Sequence, residues 1–347
     1  MANNPESFIE TIVISTRIRL ARNFASYPFP RRMDDAQAED LVYLVGEGLK
    51  KIDDFTKYDV AKLDKLDALR LQEQYLISPA LLKSKRGAAF VSSDNSISIM
   101  VNEEDHLREQ YICRGFDLYK AYERVSCIDD GLATTYDFAF HDKLGFLTAC
   151  PSNLGTGMRA SVMMFLPGLT ENGGLKKLLP SMKAEGMTVR GAFGEGTNAE
   201  GYFYQISNER TLGLTESELL GQMTRATMTV CDLEIRAREE MVKRSGIALL
   251  DKCLRAYGTL THCALLTYKE FLEKMSDVRL GMALDFFEVR DYAGFEDFFT
   301  AMRPATFRAS NGLQGVSEKK CDEIRAETVS VALPELVGLS RKNKLKK

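Results

Sequence analysis

Several large protein classes are excluded by what the sequence has little of. Trp is absent from the 347 residues, and the three histidines (His106, His141 and His262) are too far apart to indicate a histidine-rich metal site. No apolar run is long enough to span a bilayer, and the first residues contain neither the basic nor the apolar segment of a signal peptide. We therefore expect no membrane segment and no secretory leader.

The cysteine content and the charge balance narrow the classes further. The seven cysteines are odd in number and form no CxxC pair, which favours reduced thiols in the cytoplasm over a disulfide framework. The formal net charge is −3, so no global positive field favours nucleic acid as a partner. With 45% hydrophobic residues, the chain can form a large core in two domains, or in one domain with an appendage.

Residues Ile9–Leu20 predict a strand, because β-branched side chains lead into an alternating pattern. Alternation places Arg17 and Arg19 on one face and Ile18 and Leu20 on the other. The two like charges repel each other unless an anion lies over them. For an isolated pair of arginines, a solvated strand face is the simpler interpretation.

Three consecutive acids, Glu103, Glu104 and Asp105, follow the second strand of a hairpin predicted within residues 88–101. Such a cluster is costly unless a cation or a cationic substrate is present. The alternative is the solvated N-terminus of a helix, where the helix dipole favours acids. We predict a helix from this point to about Ser126.

The segment Thr148–Ala160 combines turn residues with a cation. Pro151, Gly155 and Gly157 interrupt regular structure and allow the backbone to approach a ligand closely. Arg159 follows, and we predict that it lies in the first turn of a helix continuing to residue 164. A helix N-terminus and an arginine together favour an anion.

A glycine-rich segment, residues 194–201, follows a predicted strand over Met187–Phe193 that carries Arg190. It has no Lys at its end, so it is not a Walker phosphate loop, and we interpret it as a mobile lid or a plain hairpin loop. From Glu216 onward the pattern is helical, with an interruption at Ser245-Gly246.

Five arginines thus belong to strands or strand ends of one region: Arg17, Arg19, Arg108, Arg159 and Arg190. The acids at 103–105 and Glu195 accompany them. Arginines bind phosphate oxygens, often bidentately, and carboxylates can help to hold Mg²⁺ directly or through water. The combination indicates a polyphosphate flanked by carboxylates, which is the arrangement that phosphoryl transfer requires.

The segments STRIRLAR, NEEDHLR, TACPSNLGTGMRASV and RGAFGEGTNAEG, in this order, resemble the motifs of the ATP:guanido phosphotransferases. Within that family the chain is similar to the bacterial protein-arginine kinases, over about residues 9–335. The resemblance implies an α+β fold, with an antiparallel sheet flanked by helices and an all-helical C-terminal domain. We place the catalytic domain at 1–245, the helical domain at 246–335 and a basic tail at 336–347.

Three features favour a protein kinase over a phosphagen kinase acting on a small free guanidino compound, which is the alternative. Phosphagen kinases carry a helical domain before the STRIR segment that closes over a small substrate, and its absence here implies an open site. Gly196 and Met163 stand where phosphagen kinases usually have His. A non-catalytic phosphoarginine-binding adaptor is a third reading, which the retained acids and arginines disfavour.

The resemblance also implies residue roles, with ATP and Mg²⁺ as cofactors and no metal held by the protein alone. Glu104 is the catalytic carboxylate that accepts the guanidinium proton, Glu195 is a second acid on the closing loop, and Cys150 is a positioning group rather than a nucleophile. The five arginines grip the ATP phosphates. The nucleotide site comprises Ser15, Thr16, Arg17, Ile18, Arg19, Tyr75, Arg108, Arg159, Ala160, Ser161, Val162, Met163, Arg190, Gly191, Ala192, Phe193, Gly194 and Glu195.

In the C-terminal domain, Cys321, Asp322, Arg325 and Ala326 are similar to an RDxxRA motif that binds phosphoarginine allosterically, with Cys321 replacing its first Arg. A surface helix is the equal alternative. As partners, the resemblance implies proteins with exposed arginine, a zinc-binding activator, a Clp ATPase and protease that degrade marked proteins, and a heat-shock repressor. It further implies a homodimer acting in the cytoplasm in protein quality control and the stress response.

Overall fold

The computed structural model describes residues 9–191 and 200–340. Its first ten strands are β1 (Val13–Arg22), β2 (Phe55–Asp59), β3 (Ala88–Ser92), β4 (Ile97–Val101), β5 (Leu107–Arg114), β6 (Phe140–His141), β7 (Gly145–Phe146), β8 (Met158–Phe165), β9 (Met187–Gly191) and β10 (Phe203–Asn208). Eight of them form a central antiparallel sheet in the order β2-β3-β4-β5-β1-β8-β10-β9, and β6 and β7 form a separate pair.

Helices cover the sheet and form most of the C-terminal region. They are α1 (Asp35–Leu49), α2 (Lys65–Glu73), α3 (Leu118–Ala133), α4 (Pro167–Glu171), α5 (Gly174–Ala184), α6 (Glu216–His262), α7 (Tyr268–Ala283), α8 (Tyr292–Ala301), α9 (Pro304–Ser310) and α10 (Glu318–Leu336). The family fold expected from the sequence is therefore confirmed. The C-terminal region is helix-rich and also contains a two-stranded sheet of β11 (Phe287–Val289) and β12 (Val337–Leu339). Because Val337 is buried, the packed region extends beyond the predicted limit at residue 335.

One face of the large sheet forms the main core. Ile18 and Leu20 on β1 are buried there, as the alternation of the strand predicts, together with Val162 on β8. Helices α1 and α3 contribute Leu41 and Val125 to the same apolar cluster. The opposite face packs apolar side chains such as Met100 and Phe203 into two smaller clusters and carries polar side chains such as Arg17 and Gln205 on β1 and β10, so a polar site can form there.

Helix α6 begins and breaks where the sequence predicts. Thr215 caps it in a capping box, in which its side chain accepts from the amide of Glu218 and the Glu218 side chain accepts from the Thr215 amide. Ser245 has φ −146° and interrupts the helical geometry. Two other predictions are wrong, because each expects a helix where the structure has a strand.

Residues 107–114 form β5 instead of the start of a helix, and α3 begins only at Leu118. Strand β5 pairs with β4 on one side and β1 on the other, so two ladders of backbone hydrogen bonds hold it extended. Strand β4 directly precedes β5, but β1 comes from a distant part of the chain, and such long-range pairing overrides a local helical pattern.

Beneath β1, a buried ion pair joins the sheet to α3. The guanidinium of Arg22 donates to both carboxylate oxygens of Asp129 at 2.8–3.1 Å, and its carbon lies 3.6 Å from the centre of the Phe146 ring. The side chains of Arg22 and Asp129 are 3% and 12% exposed. Removing one partner would leave the other charge buried without its counter-charge.

We therefore expect Asp129→Asn to lower the free energy of unfolding by about 3 kcal/mol. The matched control is Asp130→Asn, because Asp130 is the next residue of α3 and is exposed. Urea denaturation followed by circular dichroism measures both. Equal stability of the two variants would show that the ion pair contributes little.

Candidate active site

The polar face of the sheet brings arginines from separate strands together. Arg19 on β1 faces Arg159 on β8, and Ala21 on β1 faces Arg108 on β5. Directly opposed residues of an antiparallel pair project to the same face. These three arginines therefore share one face, although they come from three strands.

Arg17 and Arg190 complete the group on the same face. Arg17 donates to the side-chain oxygen of Gln205 at 3.1 Å, and its Nε lies 3.5 Å from the hydroxyl of Ser161. Gln205 on β10 is directly opposite Arg190 on β9. All five arginines singled out in the sequence thus lie on one surface.

The guanidinium groups lie close enough to lower one another's pKa values, in addition to the larger effect of burial. Burial, followed by repulsion from Arg108 and Arg159, lowers the pKa of Arg17 to about 10. Burial lowers the pKa of Arg19 as well, with repulsion from Arg17 and Arg108 adding to the effect. For Arg159 the same direction results from burial first and from repulsion by Arg190 next.

This arrangement fits an anion, as two unsatisfied donors indicate. The Nε atoms of Arg19 and Arg159 are buried and have no hydrogen-bond acceptor among the residues that the structure describes. Buried donors without acceptors are costly. A polyphosphate would supply both the acceptors and the negative charge.

A cavity of about 230 Å³ opens at this surface. Its lining combines cations, acids and a thiol: Arg19, Arg108, Arg159, Glu103, Glu104, Asp105 and Cys150. The structure therefore brings together three of the four motifs from which the site was predicted, although they are up to 140 residues apart in the sequence.

The three acids of this cavity have different surroundings. Glu103 accepts from Arg108 through both oxygens at 2.9 Å, and from the hydroxyl of Ser78. Asp105 accepts from the side chain of Asn23 and from the amide of Ala149, both at 2.6 Å, and burial raises its pKa.

Glu104 differs from its neighbours because it is exposed and makes no hydrogen bond or ion pair within the described parts of the chain. Its carboxylate is therefore available to a substrate in the cavity. The sequence could identify the cluster but not this difference, since the partners of Glu103 and Asp105 come from remote segments.

Cys150 lies at the start of a short turn, Pro151–Asn153, and its sulfur is 3.1 Å from the hydroxyl of Ser152. The bond from the preceding amide to Asp105 fixes this turn against the acidic segment. The half-buried thiol consequently lines the same cavity as Glu104.

A smaller cleft lies beside the cavity and contains five of the residues predicted for the nucleotide. Its lining is Ser15, Arg17, Tyr75, Ile112, Ser161, Met163 and Gln205. Gln205 was not assigned a role from the sequence, although it belongs to the quoted Tyr-Gln-Ile-Ser-Asn segment and alternation along β10 would have placed it on this face.

In the segments 15–19 and 159–163, which were predicted to bind the nucleotide, every second side chain projects to the face of the sheet opposite the arginines. Thr16, Ile18, Ala160 and Val162 are fully buried, with 0% exposure. Side chains alternate between the two faces of a strand, so these four cannot line the site with their side chains. A contact with the nucleotide would have to come from their backbone, and their assignment to nucleotide binding stays a prediction.

The predicted helix at Arg159 is wrong, because Met158–Phe165 is the strand β8, paired with β1 and β10. No helix N-terminus therefore supports an anion at this point, and strand arginines do so instead. Gly157 has φ +61°, and a side-chain carbon there would lie 2.6 Å from the carbonyl oxygen of Ala21. This glycine permits the close approach of the loop to β1.

The remaining predicted residues divide into two groups. Gly191 is the last residue of β9, whereas Ala192, Phe193, Gly194 and Glu195 lie outside the described residues, as do residues 196–199 of the glycine-rich segment.

The predicted phosphoarginine segment lies on α10. Cys321 and Ala326 are buried, and Arg325 donates to the carbonyl oxygen of Leu266 at 2.9 Å and to Asp322 at 2.7 Å. Its guanidinium carbon is 5.1 Å from the centre of the Phe307 ring. The segment therefore packs into the C-terminal core rather than forming a surface helix, and its binding role stays a prediction.

Two further properties concern only the described residues. They contain no group of three or more His, Cys, Asp or Glu side chains able to hold a metal ion. Among their helices, none has the length and apolar character needed to cross a membrane.

Comparison with known families gives two matches along the chain. The model for the ATP:guanido phosphotransferase C-terminal catalytic domain matches residues 38–237, and the model for the protein-arginine kinase McsB C-terminal domain matches residues 246–344. A protein-arginine kinase of Caldanaerobacter subterraneus is 42% identical over 93% of this chain and 97% of its own length. One of Symbiobacterium thermophilum is 40% identical over 87% of each chain.

Solved structures show the same fold. A duplicated taurocyamine kinase from Schistosoma mansoni superposes with a TM-score of 0.58 and 28% identity, over 65% of this chain and 33% of that protein. Lombricine kinase gives a TM-score of 0.58 and 24% identity, over 65% and 66%. The described chain thus spans about a third of the duplicated kinase.

The crowded arginine face predicts a response to anions. Because a ligand that binds only the folded state stabilises it, tripolyphosphate at about 100 times its Kd should raise the free energy of unfolding by about 2.7 kcal/mol. Arg159→Met should keep or increase stability without the anion, since it removes repulsion. With tripolyphosphate at the same concentration, the Arg159→Met protein should gain about 1.4 kcal/mol less stability than the wild type, which corresponds to a tenfold weaker affinity for the anion.

Thermal unfolding with and without tripolyphosphate measures this difference. Arg114→Met is the control, because Arg114 is exposed at the end of β5. Equal anion-dependent stabilisation of all three proteins would contradict binding of the anion at the arginine face.

Proposed function

The chain belongs to the ATP:guanido phosphotransferase family, and we propose that it transfers the γ-phosphoryl group of ATP to arginine side chains of proteins, giving phosphoarginine. The observation that carries the proposal is the cavity in which Arg19, Arg108 and Arg159 adjoin the unpaired carboxylate of Glu104. A polyanion and a cationic acceptor can bind there side by side. The similarity to proteins named protein-arginine kinase supports a protein as the acceptor.

The arginine face would hold the triphosphate. Arg19 and Arg159 have buried donors that lack acceptors, and Arg17 lies next to the smaller cleft where the nucleoside would bind. Catalysis of phosphoryl transfer depends mainly on positioning and on electrostatic stabilisation of the transferred group. Five fixed guanidinium groups supply both.

Mg²⁺ fits the site as a companion of the nucleotide. The described residues offer no set of three metal ligands, so the phosphate oxygens and water would hold the ion, with the cavity carboxylates nearby. When bound, it would neutralise negative charge on the phosphates. The remaining chemistry falls to side chains of this chain.

Glu104 would act on the acceptor. A guanidinium stays protonated in water at neutral pH, so a base must take a proton as its nitrogen attacks. The bond from nitrogen to the γ-phosphorus forms, the bond from that phosphorus to the bridging oxygen breaks, and ADP leaves with the electron pair. The proton passes to Glu104, and Glu195 would provide a second acid.

Cys150 would position the acceptor rather than form a covalent intermediate. Direct transfer between ATP and the guanidino nitrogen requires no phosphorylated enzyme. The thiol lines the cavity beside Glu104, so it can contact the guanidinium and fix its orientation.

Further features of the proposal concern organisation and partners. We place a catalytic domain at 1–245 and a C-terminal domain from 246, in line with family matches that end at 237 and begin at 246. The proposal includes a homodimer in the cytoplasm, a zinc-binding activator, control of a heat-shock repressor and delivery of marked proteins to a Clp ATPase and protease.

The alternative is a phosphagen kinase, which the similarity to taurocyamine and lombricine kinase structures suggests. Incubation with labelled ATP and either an arginine-rich protein or free arginine separates the two. We expect acid-labile phosphate on the protein. Label on the free guanidine alone would favour the alternative.

The role of Glu104 predicts a specific kinetic change. Glu104→Gln should lower kcat by at least about 100-fold, because a general base contributes about 10²–10⁴-fold. Affinity for ATP should change little, since Glu104 is exposed and unpaired in the described structure. Glu123→Gln, an exposed site on α3, is the control. Full activity of Glu104→Gln would refute the assignment.

A further inference from the structure

Tyr75, which lines the smaller cleft, lies close to two arginines from different regions of the chain. The guanidinium carbon of Arg17, on β1, is 5.8 Å from the centre of its ring. That of Arg303, which occupies the position just before α9 in the C-terminal region, is 4.8 Å away. A guanidinium over an aromatic ring is attracted by the negative face of the ring.

The backbone of Tyr75 is tightly held. Its φ is +61°, which is uncommon for a residue with a side chain. Its amide donates to the carbonyl oxygen of Gln72 at 2.9 Å, and its own carbonyl accepts from the side chain of Gln110. With the backbone held in this way, the position of the ring depends on the contacts of the side chain, which include these two arginines.

The two regions meet at helix α2, which ends just before Tyr75. The side chain of Glu73 accepts from the amides of Ala305 and Thr306 at 2.8 Å and so caps α9, while Arg303 donates to the carbonyl oxygen of Glu73. Near the other end of α2, Gln314 donates to Asp64 at 3.3 Å. Helix α2 is thus attached to the C-terminal region at both ends.

One nitrogen of the Arg303 guanidinium, the buried Nε, has no acceptor within the described residues. The contacts of this guanidinium include the ring of Tyr75 and the carbonyl of Glu73. Its charge also acts on Tyr268, where it opposes the rise in pKa that burial causes. Tyr75 in turn raises the pKa of Arg17, opposing the larger lowering by burial and by Arg108. The side chain of Tyr75 therefore lies near the arginine face.

We propose that Arg303 is a positioning residue for the nucleotide. It holds the ring of Tyr75 beside Arg17, so that the C-terminal region sets the affinity of the catalytic region for ATP. The inference rests on the proposed function, because it requires that the cleft lined by Tyr75 and Arg17 accept the nucleotide.

Calorimetric titration with ATP tests this inference. Arg303→Met keeps an unbranched, flexible apolar side chain and removes the guanidinium group with its charge, and it should weaken ATP binding by about three- to tenfold, as expected for loss of a partly buried cation–π contact. Arg303→Lys should bind within about twofold of the wild type. At saturating ATP, kcat should stay within about twofold, because Arg303 does not touch the reacting atoms. Arg255→Met, at an exposed site on α6, is the control.

A double variant separates positioning from a structural role. If Arg303 acts through the ring, Arg303→Met combined with Tyr75→Leu should bind ATP no more weakly than Tyr75→Leu alone. Additive losses, or wild-type affinity of Arg303→Met, would overturn the inference. If the Met variant does not fold, Arg303→Gln, which retains a donor for the Glu73 carbonyl, decides between the same outcomes. Failure of the wild type to bind ATP would refute the proposed function instead.

Discussion

Repulsion between guanidinium groups on one face of the sheet is the constraint on which the rest of the structure depends. Burial, and then this repulsion, hold the pKa values of Arg17, Arg19 and Arg159 below their usual range. A basic group whose pKa is lower in the folded than in the unfolded protein reduces the free energy of unfolding at any pH where it is protonated in both states. For Arg17 this cost is relieved only above about pH 10, as the folded protein releases its proton first. At neutral pH a bound polyanion is the available relief.

Two parts of the fold hold these charged side chains in place: the apolar face of the sheet, and the loops that carry the acids and Cys150. The apolar side of β1 and β8 lies in the main core, so the arginines are fixed to a rigid surface. Glu103 neutralises Arg108, and Asp105 fastens the turn before Cys150, which leaves Glu104 exposed. Helix α2, bonded to the C-terminal region at both ends, joins that region to the smaller cleft. In the proposed mechanism, proton transfer would use Glu104, whereas its neighbours Glu103 and Asp105 hold the surrounding structure.

Much of the fold and of the candidate site could be predicted from local patterns and from the family resemblance, but the pairing between distant strands could not. Alternation places Arg17 and Arg19 on one face of a strand, and the helical pattern from Glu216 onward places the start of α6. The local pattern predicts helices where Arg108 and Arg159 lie on strands, because the stability of those strands depends on ladders formed with distant segments. For the same reason, the sequence could not tell which of the three acids would be free.

The central claim is that converging arginines bind the phosphates of the nucleotide, and calorimetric titration of the wild-type protein with ATP, ADP and AMP tests it most directly. Because a hydrogen bond to a charged group contributes about 1.5–3 kcal/mol, each phosphate removed should weaken binding by at least about tenfold. Binding of AMP with the affinity of ATP would show that the arginine face does not bind the triphosphate.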